Sequence, residues 1–275
     1  MSLAAKTHLL MYNSDSMVYT SAIEDIKKGD ILIASDGERL PVEAVEISTD
    51  ELFTVTLSNG DEFICNAWQD IDCVYNRDPN DVRTVPLYAL IGKRPNEIFA
   101  HGVMKALPEL RAPVTWLQAP YTIGRDAPNE DGLTSIPDSI LNTDINSRME
   151  FLAGFADAWG ESSRYGIVFP MINVDDTWRL KFLCRSLGFE VAVLHMDDRY
   201  TYNYKVTISG NLASIPYMSC LINLDRYEPP QTTMFYGIKS IKSNGAGKSY
   251  TIKVKGKKGA ILEDFTQMPV ERGQR

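Results

Sequence analysis

The chain has no Cys-x-x-Cys pair. Its four cysteines stand at 65, 73, 184 and 220, and its three histidines, His8, His101 and His195, do not cluster with them. A zinc centre needs such clustered ligands, so neither a metal site nor a cofactor is expected. Buried thiols in a reducing compartment are the ordinary use of such cysteines. Long apolar runs are missing too: none approaches the ~20 residues that span a bilayer, so no membrane contact is expected. Residues Met1 to Leu10 lack the basic start and apolar core of a secretory signal, which points to the cytoplasm. Positive charge is also short. Lys and Arg number 28 against 36 Asp and Glu, a formal net charge of −8. Proteins that grip duplex DNA draw much of their affinity from neutralised phosphates, so DNA binding is disfavoured. The one basic stretch is 236–275, with nine Lys/Arg against three Asp/Glu. It reads as a solvated strand face, with contact to an acidic partner as the alternative.

What is present is an ordinary globular composition, 44% hydrophobic and 23% charged. Residues 16–75 carry short alternating apolar runs. Phe53, Val55 and Leu57 share one face at period two, and Asn59-Gly60 suits a tight hairpin. Residues 76–135 are rich in Pro, Asn and Asp and read as an irregular connector. DINSRMEFLAGFADAW then reads as a helix with Asp144 or Asn146 as N-cap. RYGIVFPMI reads as a strand. VDDTWRLKFLCRSLGFE reads as a helix closed by Gly188, with Trp178, Leu180, Phe182, Leu183 and Leu187 on its apolar face. EVAVLHM and YNYKVTIS pair as strands, and NLASIPYMSCLI is a short final helix. MFYGIKSIKS and KSYTIKVKG read as two strands separated by Asn244-Gly245-Ala246-Gly247, and GAILEDFTQM closes the pattern. The expected class is mixed β and α+β. A discontinuous β-domain, 11–75 plus 234–270, is built from both chain ends; 76–135 is the connector and 136–233 an inserted α+β unit.

Three stretches carry a family resemblance, in the right order. AIEDIKKGDILIASDGERLPV is similar to a conserved motif of Hint (hedgehog/intein) domains. SIPDSILNTDINSRMEFLAGFADAWGE resembles the intein segment that leads into a LAGLIDADG homing-endonuclease helix. SYTIKVKGKKGAILEDFTQM is similar to the closing intein blocks. The resemblance covers about residues 11–270. It implies a horseshoe-like β fold from both chain ends with a single LAGLIDADG-like half-unit inserted.

The resemblance also says where chemistry belongs. Inteins open with a Cys, Ser or Thr nucleophile shortly before an Asp-Thr pair. Asp15-Ser16 matches that pair and places Met11 at the nucleophile, where a thioether cannot perform an acyl shift. Ser14 and Ser16 are out of register and read as turn residues. The activating Thr-x-x-His falls on CNAWQDI, with Asn66 for Thr and Gln69 for His; neither is a general acid near neutral pH. The closing His-Asn falls on Pro269 and Val270, followed by Glu271, and valine has no amide to cyclise. In the LAGLIDADG-like run Leu152 to Gly160, the metal-binding acid falls on Trp159, and an indole does not ligate Mg²⁺. Asp157 lies two residues earlier, about 200° round the helix, and reads as a surface carboxylate. Glu161 would need a shifted backbone to replace it. LQAPYTIGRDAPNEDG resembles a first motif cut short after Gly124.

The expectation is therefore a non-splicing, catalytically dead intein-derived protein and not an enzyme. It would act as a structural or interaction component that binds other protein subunits, in a phage virion as tail, baseplate or capsid accessory. The alternatives are a nucleic-acid-binding remnant of a homing endonuclease, or residual splicing or nuclease activity. Tyr12, Tyr121, Trp116 and Trp159 read as core aromatics, with a contact patch as the alternative.

Overall fold

The computed structural model describes residues 1–75, 78, 81–94, 97, 101–110, 115–127, 136–197, 200–216, 235–255 and 259–269. The chain divides into two compact units, residues 1–108 with 233–275, and residues 109–232. Among the described residues no helix is long and apolar enough to cross a membrane.

The first unit opens with β1 (Ser2–Ala4), β2 (His8–Tyr12), β3 (Val18–Ala22) and β4 (Ile31–Ile33). It continues with β5 (Arg39–Leu57), β6 (Glu62–Asn66), β7 (Asp70–Tyr75), β8 (Val82–Pro86) and β9 (His101–Met104). The second unit holds α1 (Pro120–Asp126), α2 (Asp138–Leu141), α3 (Ile145–Trp159), β10 (Glu161–Ser163), β11 (Gly166–Met171), α4 (Val174–Ser186), β12 (Glu190–His195) and β13 (Tyr204–Ser209). The chain then returns to the first unit with β14 (Phe235–Val254), β15 (Ala260–Ile261) and β16 (Gln267–Met268).

The first unit is a ten-stranded sheet ordered β3-β2-β4-β5-β6-β1-β14-β9-β7-β8, in which β5 also pairs with β14. That pairing is its spine: two strands of 19 and 20 residues run antiparallel from Val42 opposite Val254 to Leu57 opposite Ile238. The expected turn at residues 244–247 is therefore absent. Asn244 to Gly247 lie inside one continuous strand, which absorbs the glycines as a register shift between Ser243 and Gly245. Gly245 sits at φ 77, a conformation that a side chain would resist. The Asn59-Gly60 hairpin does form, with Gly60 at φ 89 and its N–H donating to the Leu57 carbonyl at 3.0 Å. Phe53, Val55 and Leu57 are buried, and they pack in one cluster with Leu9, Leu32, Phe63, Cys65, Ile71, Val103, Ile252 and Leu262.

The structure draws this unit wider than the sequence pattern. Residues before Met11 form β1 and β2, and Leu3, Leu9 and Leu10 are fully buried. The expected connector supplies two strands. β8 pairs with β7, and β9 joins β7 to β14. Their polar composition hid them, because an edge strand such as β8 (VRTVP) buries little of its surface.

The second unit packs helices on a four-stranded sheet ordered β10-β11-β13-β12. Asp144 is the N-cap of α3, accepting from the Ser147 N–H at 2.9 Å. Asn173 caps α4 in the same way, from Asp176 at 2.7 Å. Strand β10 was not foreseen; Glu161 to Ser163 pair with β11 as one arm of a short hairpin. The aromatic rings of Phe151, Phe155 and Phe169 form the centre of this core. The final helix expected at residues 211–222 appears as a single turn, Leu212–Ser214, ended at Ile215, and residues 217–222 lie outside the described residues.

Helices α1 and α3 meet through glycines. A Cβ on Gly154 would stand 2.0 Å from the Tyr121 carbonyl oxygen, and one on Gly124 would stand 2.1 Å from that of Phe151. The contacts are reciprocal: Gly154 also faces the Arg125 nitrogen, and Gly124 faces that of Phe155. Each glycine thus lies over the carbonyl three residues before its counterpart, as in two helices related by a local two-fold. No residue larger than glycine permits that approach.

Candidate functional site

Strand β1 threads between β14 and β6, and this places the start of the chain among groups from four other segments. Ser2 pairs with Thr251, Leu3 with Tyr250, and Ala4 with Ser249. The Ser2 hydroxyl is 2.7 Å from that of Thr251. The Met1 carbonyl accepts from the Ile252 N–H at 2.8 Å. The Ser2 N–H donates to Oε1 of Gln69 at 2.5 Å. The Gln69 Nε2 donates to the Asp70 carbonyl at 2.5 Å and lies 3.4 Å from the Pro269 carbonyl oxygen. One carboxamide, 3% exposed, therefore touches the first peptide bond and the closing segment together.

Asn66 and Gln69 owe their positions to a tight turn between β6 and β7. The Gln69 N–H donates to the Asn66 carbonyl, and Oδ1 of Asn66 accepts from the Trp68 N–H at 3.1 Å. The Asn66 Nδ2 reaches back to Asp50 at 3.2 Å. Asp50 also accepts from the Ser48 hydroxyl at 2.7 Å, and this bond is the main reason its carboxyl lies below the usual range. The buried Ser249 hydroxyl makes no hydrogen bond of normal geometry, yet it stands near enough to Asp50 to help hold the charge. The turn leaves Trp68 72% exposed against Tyr88, their ring centroids 5.1 Å apart.

Met11, the expected nucleophile position, does not lie at this group. Met11 is a core residue of β2, 1% exposed, paired with Tyr19 and Leu32. Ser14 is exposed, and Ser16 sits at φ 66 in the Asn13–Met17 turn, where it accepts from Arg39. The residue whose amide meets Gln69 is Ser2. A usable signal was in the sequence: Ser2 precedes Lys6-Thr7 by the spacing that separates Met11 from Asp15-Ser16. Gln69 contacts both Ser2 and Pro269, and Asn66 lies in the adjoining turn with its side chain on Asp50 and Trp68; Val270 and Glu271 lie outside the described residues.

In the second unit, Trp159 is half-buried at the end of α3, and its indole N–H donates to the Pro170 carbonyl at 2.6 Å. Asp157 accepts from the Tyr121 hydroxyl at 2.7 Å across the α1–α3 contact, which raises the Tyr121 phenol above its ordinary range. Glu161 has left the helix for β10 and is exposed. These groups do not converge, and no cluster of three metal-ligating side chains exists among the described residues. Val206 and Ile208 are buried under the helices, so Lys205, Thr207 and Ser209 line the opposite sheet face. Across from them stand Leu194, Ala192 and Glu190 on one side and Pro170 and Val168 on the other, with Glu161 beyond. Among these described residues the face carries two glutamates and one lysine.

Of the aromatics considered together, Tyr12 is buried in the first unit with its hydroxyl on the Gly37 carbonyl, while Tyr121, Trp116 and Trp159 are half-buried in the second. Cys65, Cys73 and Cys184 are buried and free, and burial pushes the Cys73 thiol up to about 12; Cys220 lies outside the described residues. His8 lies 3.8 Å from Glu263, and His195 packs edge-on against Tyr204.

No protein-family model matches the chain, and no curated protein sequence is similar to it. Among solved structures the chain is similar to several inteins. The gp41-1 intein is 9% identical, covers 98% of this chain and 99% of its own, and has a TM-score of 0.37. An Ssp DnaB mini-intein variant is 9% identical over 99% of this chain and 97% of its own, with a TM-score of 0.37. The MchDnaB-1 intein is 21% identical over 30% of this chain and 57% of its own, with a TM-score of 0.24.

Proposed function

We propose that this chain is an intein-derived protein that no longer splices and whose remaining role is to bind other protein subunits. The observation that carries the loss of splicing is the Gln69 carboxamide at the Met1–Ser2 peptide. An acyl shift there needs the Ser2 hydroxyl to attack the Met1 carbonyl, the C–N bond to break, and the departing amine to gain a proton. The hydroxyl is present, and the Ile252 N–H polarises the carbonyl. Gln69, however, offers the Ser2 amide an acceptor oxygen where the step needs an acid. A carboxamide carries no proton it can give up near neutrality. At the other end, neither Pro269 nor Val270 has a side-chain amide to cyclise. The defect is therefore in proton transfer and release, and the nucleophile survives as Ser2.

The test is expression with folded reporters joined before Ser2 and after residue 275. Only the full-length product is expected, with nothing released by hydroxylamine. Ligated reporters, or an ester trapped by hydroxylamine, would refute the reading. Gln69→His is the informative companion: it is expected to yield cleavage before Ser2 and still no ligation. A place in a phage virion rests on the family resemblance alone, and mass spectrometry of purified particles tests it separately.

For the second unit, the reciprocal glycine contact between α1 and α3 supports descent from a LAGLIDADG helix pair, with α1 as the remnant of the first motif. The motif acid is Trp159, and its counterpart five residues after Gly124 is Asn129, outside the described residues. With no acid at either position and no basic sheet face, this unit neither cleaves nor grips DNA. A gel shift at low salt is expected to stay blank.

A further inference from the structure

The Gln69–Pro269 contact depends on how the closing segment is held. Its buried contacts converge on a residue outside the motifs, Lys105. The Lys105 side chain is 10% exposed. Its ammonium lies 2.9 Å from the Asp264 carboxylate, 2.9 Å from the Asp264 carbonyl oxygen, 2.9 Å from the Thr266 hydroxyl and 3.4 Å from Asp61. It also faces the Tyr236 ring at 5.1 Å. Lys105 and Thr266 are bridged through their backbones, and the next N–H, of Ala106, donates to the Phe265 carbonyl at 2.8 Å.

The segment needs such a hold. Phe265 is fully buried in a left-handed conformation at φ 67, which a bulky side chain resists. It sits in a turn closed by its own N–H on the Leu262 carbonyl and by the Leu262 N–H on that of Thr266. Asp264 braces the turn from inside, accepting from the Thr266 N–H at 2.8 Å and from its hydroxyl at 2.7 Å. A carboxylate this enclosed needs a cation, and Lys105 supplies it. From the turn the chain runs through Gln267, whose amide donates to Asp72 at 2.8 Å, and the buried Met268 to Pro269.

We propose that Lys105 is the positioning residue of this site: by gripping Asp264 and Thr266 it fixes the closing turn and so sets the Pro269 carbonyl on Gln69. The competing role is simple charge compensation, with β16 and the Gln267–Asp72 bond doing the positioning.

Nuclear magnetic resonance on the full chain separates the two, with the Gln69 side-chain amide and the Thr266 and Ala106 backbone amides as reporters. The pair Lys105→Met with Asp264→Asn removes both charges, so no uncompensated carboxylate is left. A positioning role predicts that Thr266 and Ala106 exchange on the order of 100-fold faster, that the Gln69 side-chain amide shifts, and that Val55 and Ile252 keep their protection. Lys105→Arg is expected to restore the Gln69 signal, and Gln267→Ala to leave it in place. An unmoved Gln69 amide in the charge-free pair overturns the proposal, as does a Gln69 amide that moves only in Gln267→Ala. Loss of protection at Val55 and Ile252 also overturns it, because Lys105 would then support the whole sheet.

Discussion

The two units hold Gln69 and Trp159 in different ways. In the first, Gln69 is built into the structure. Gln69 is buried, bonds to the Ser2 amide and the Asp70 carbonyl, and reaches the Pro269 carbonyl. In the second, Trp159 stands at the end of its helix, half-buried, with a hydrogen bond to Pro170. What the second unit cannot change is in the middle of that helix, where Gly154 meets Tyr121 and Gly124 meets Phe151. The tightest packing thus lies at the middle of α3 and not at its end, while in the first unit one buried side chain joins two segments.

The largest effect that tests this contrast is expected at the glycines. Gly154→Ala sets a methyl against a backbone oxygen that cannot yield alone, and is expected to cost about 3 kcal/mol in urea unfolding. A loss under ~1 kcal/mol would mean that α1 and α3 are not locked by this contact. Next is Gln69→Leu, which strands the Ser2 N–H in a buried site. It is expected to cost about 2 kcal/mol, whereas a surface Gln would cost almost nothing. A third effect is acid sensitivity in the first unit. The Asp264 carboxyl is held below its ordinary range by Lys105 and Thr266 against the opposing effect of burial. Its folded value being depressed, it adds stability above the unfolded value, about 3.9, and that stability is lost as pH falls through the folded value. Asp264→Asn is expected to flatten the acid limb of a stability–pH curve; an unchanged limb would show that the ion pair does not stabilise the fold. The smallest effect belongs to Trp159→Phe, which keeps the packing and forfeits the bond to Pro170, at about 1 kcal/mol. A loss as large as that of Gly154→Ala would erase the contrast within α3.

Much of this was legible in local pattern. The Asn59-Gly60 hairpin, the Asp144 cap and the Phe53-Val55-Leu57 face follow from turn chemistry, capping and period two, all readable within a few residues. The glycine after α4 was legible in the same way, since Gly188 adopts φ 85 directly behind the helix. Strands β8 and β9 were not, because β8 is a polar edge strand and β9 is only four residues long, and both lie in a stretch that reads as a connector. The glycine-rich 244–247 stretch misled for the opposite reason. Its turn chemistry is strong, but pairing along the length of β5 outweighs it. The Ser2–Gln69 contact was not legible either, because it is a hydrogen bond between residues 67 positions apart.

By itself the sequence determined the alternation of β and α+β segments and the small residues of α3. Those are properties of residue type and short-range spacing. Only the tertiary structure decided that Ser2 faces Gln69, that Lys105 meets Asp264, and that Gly124 and Gly154 interlock. Each of these contacts joins residues distant in sequence, and it forms only when the burial of a shared core overcomes the entropy of bringing them together.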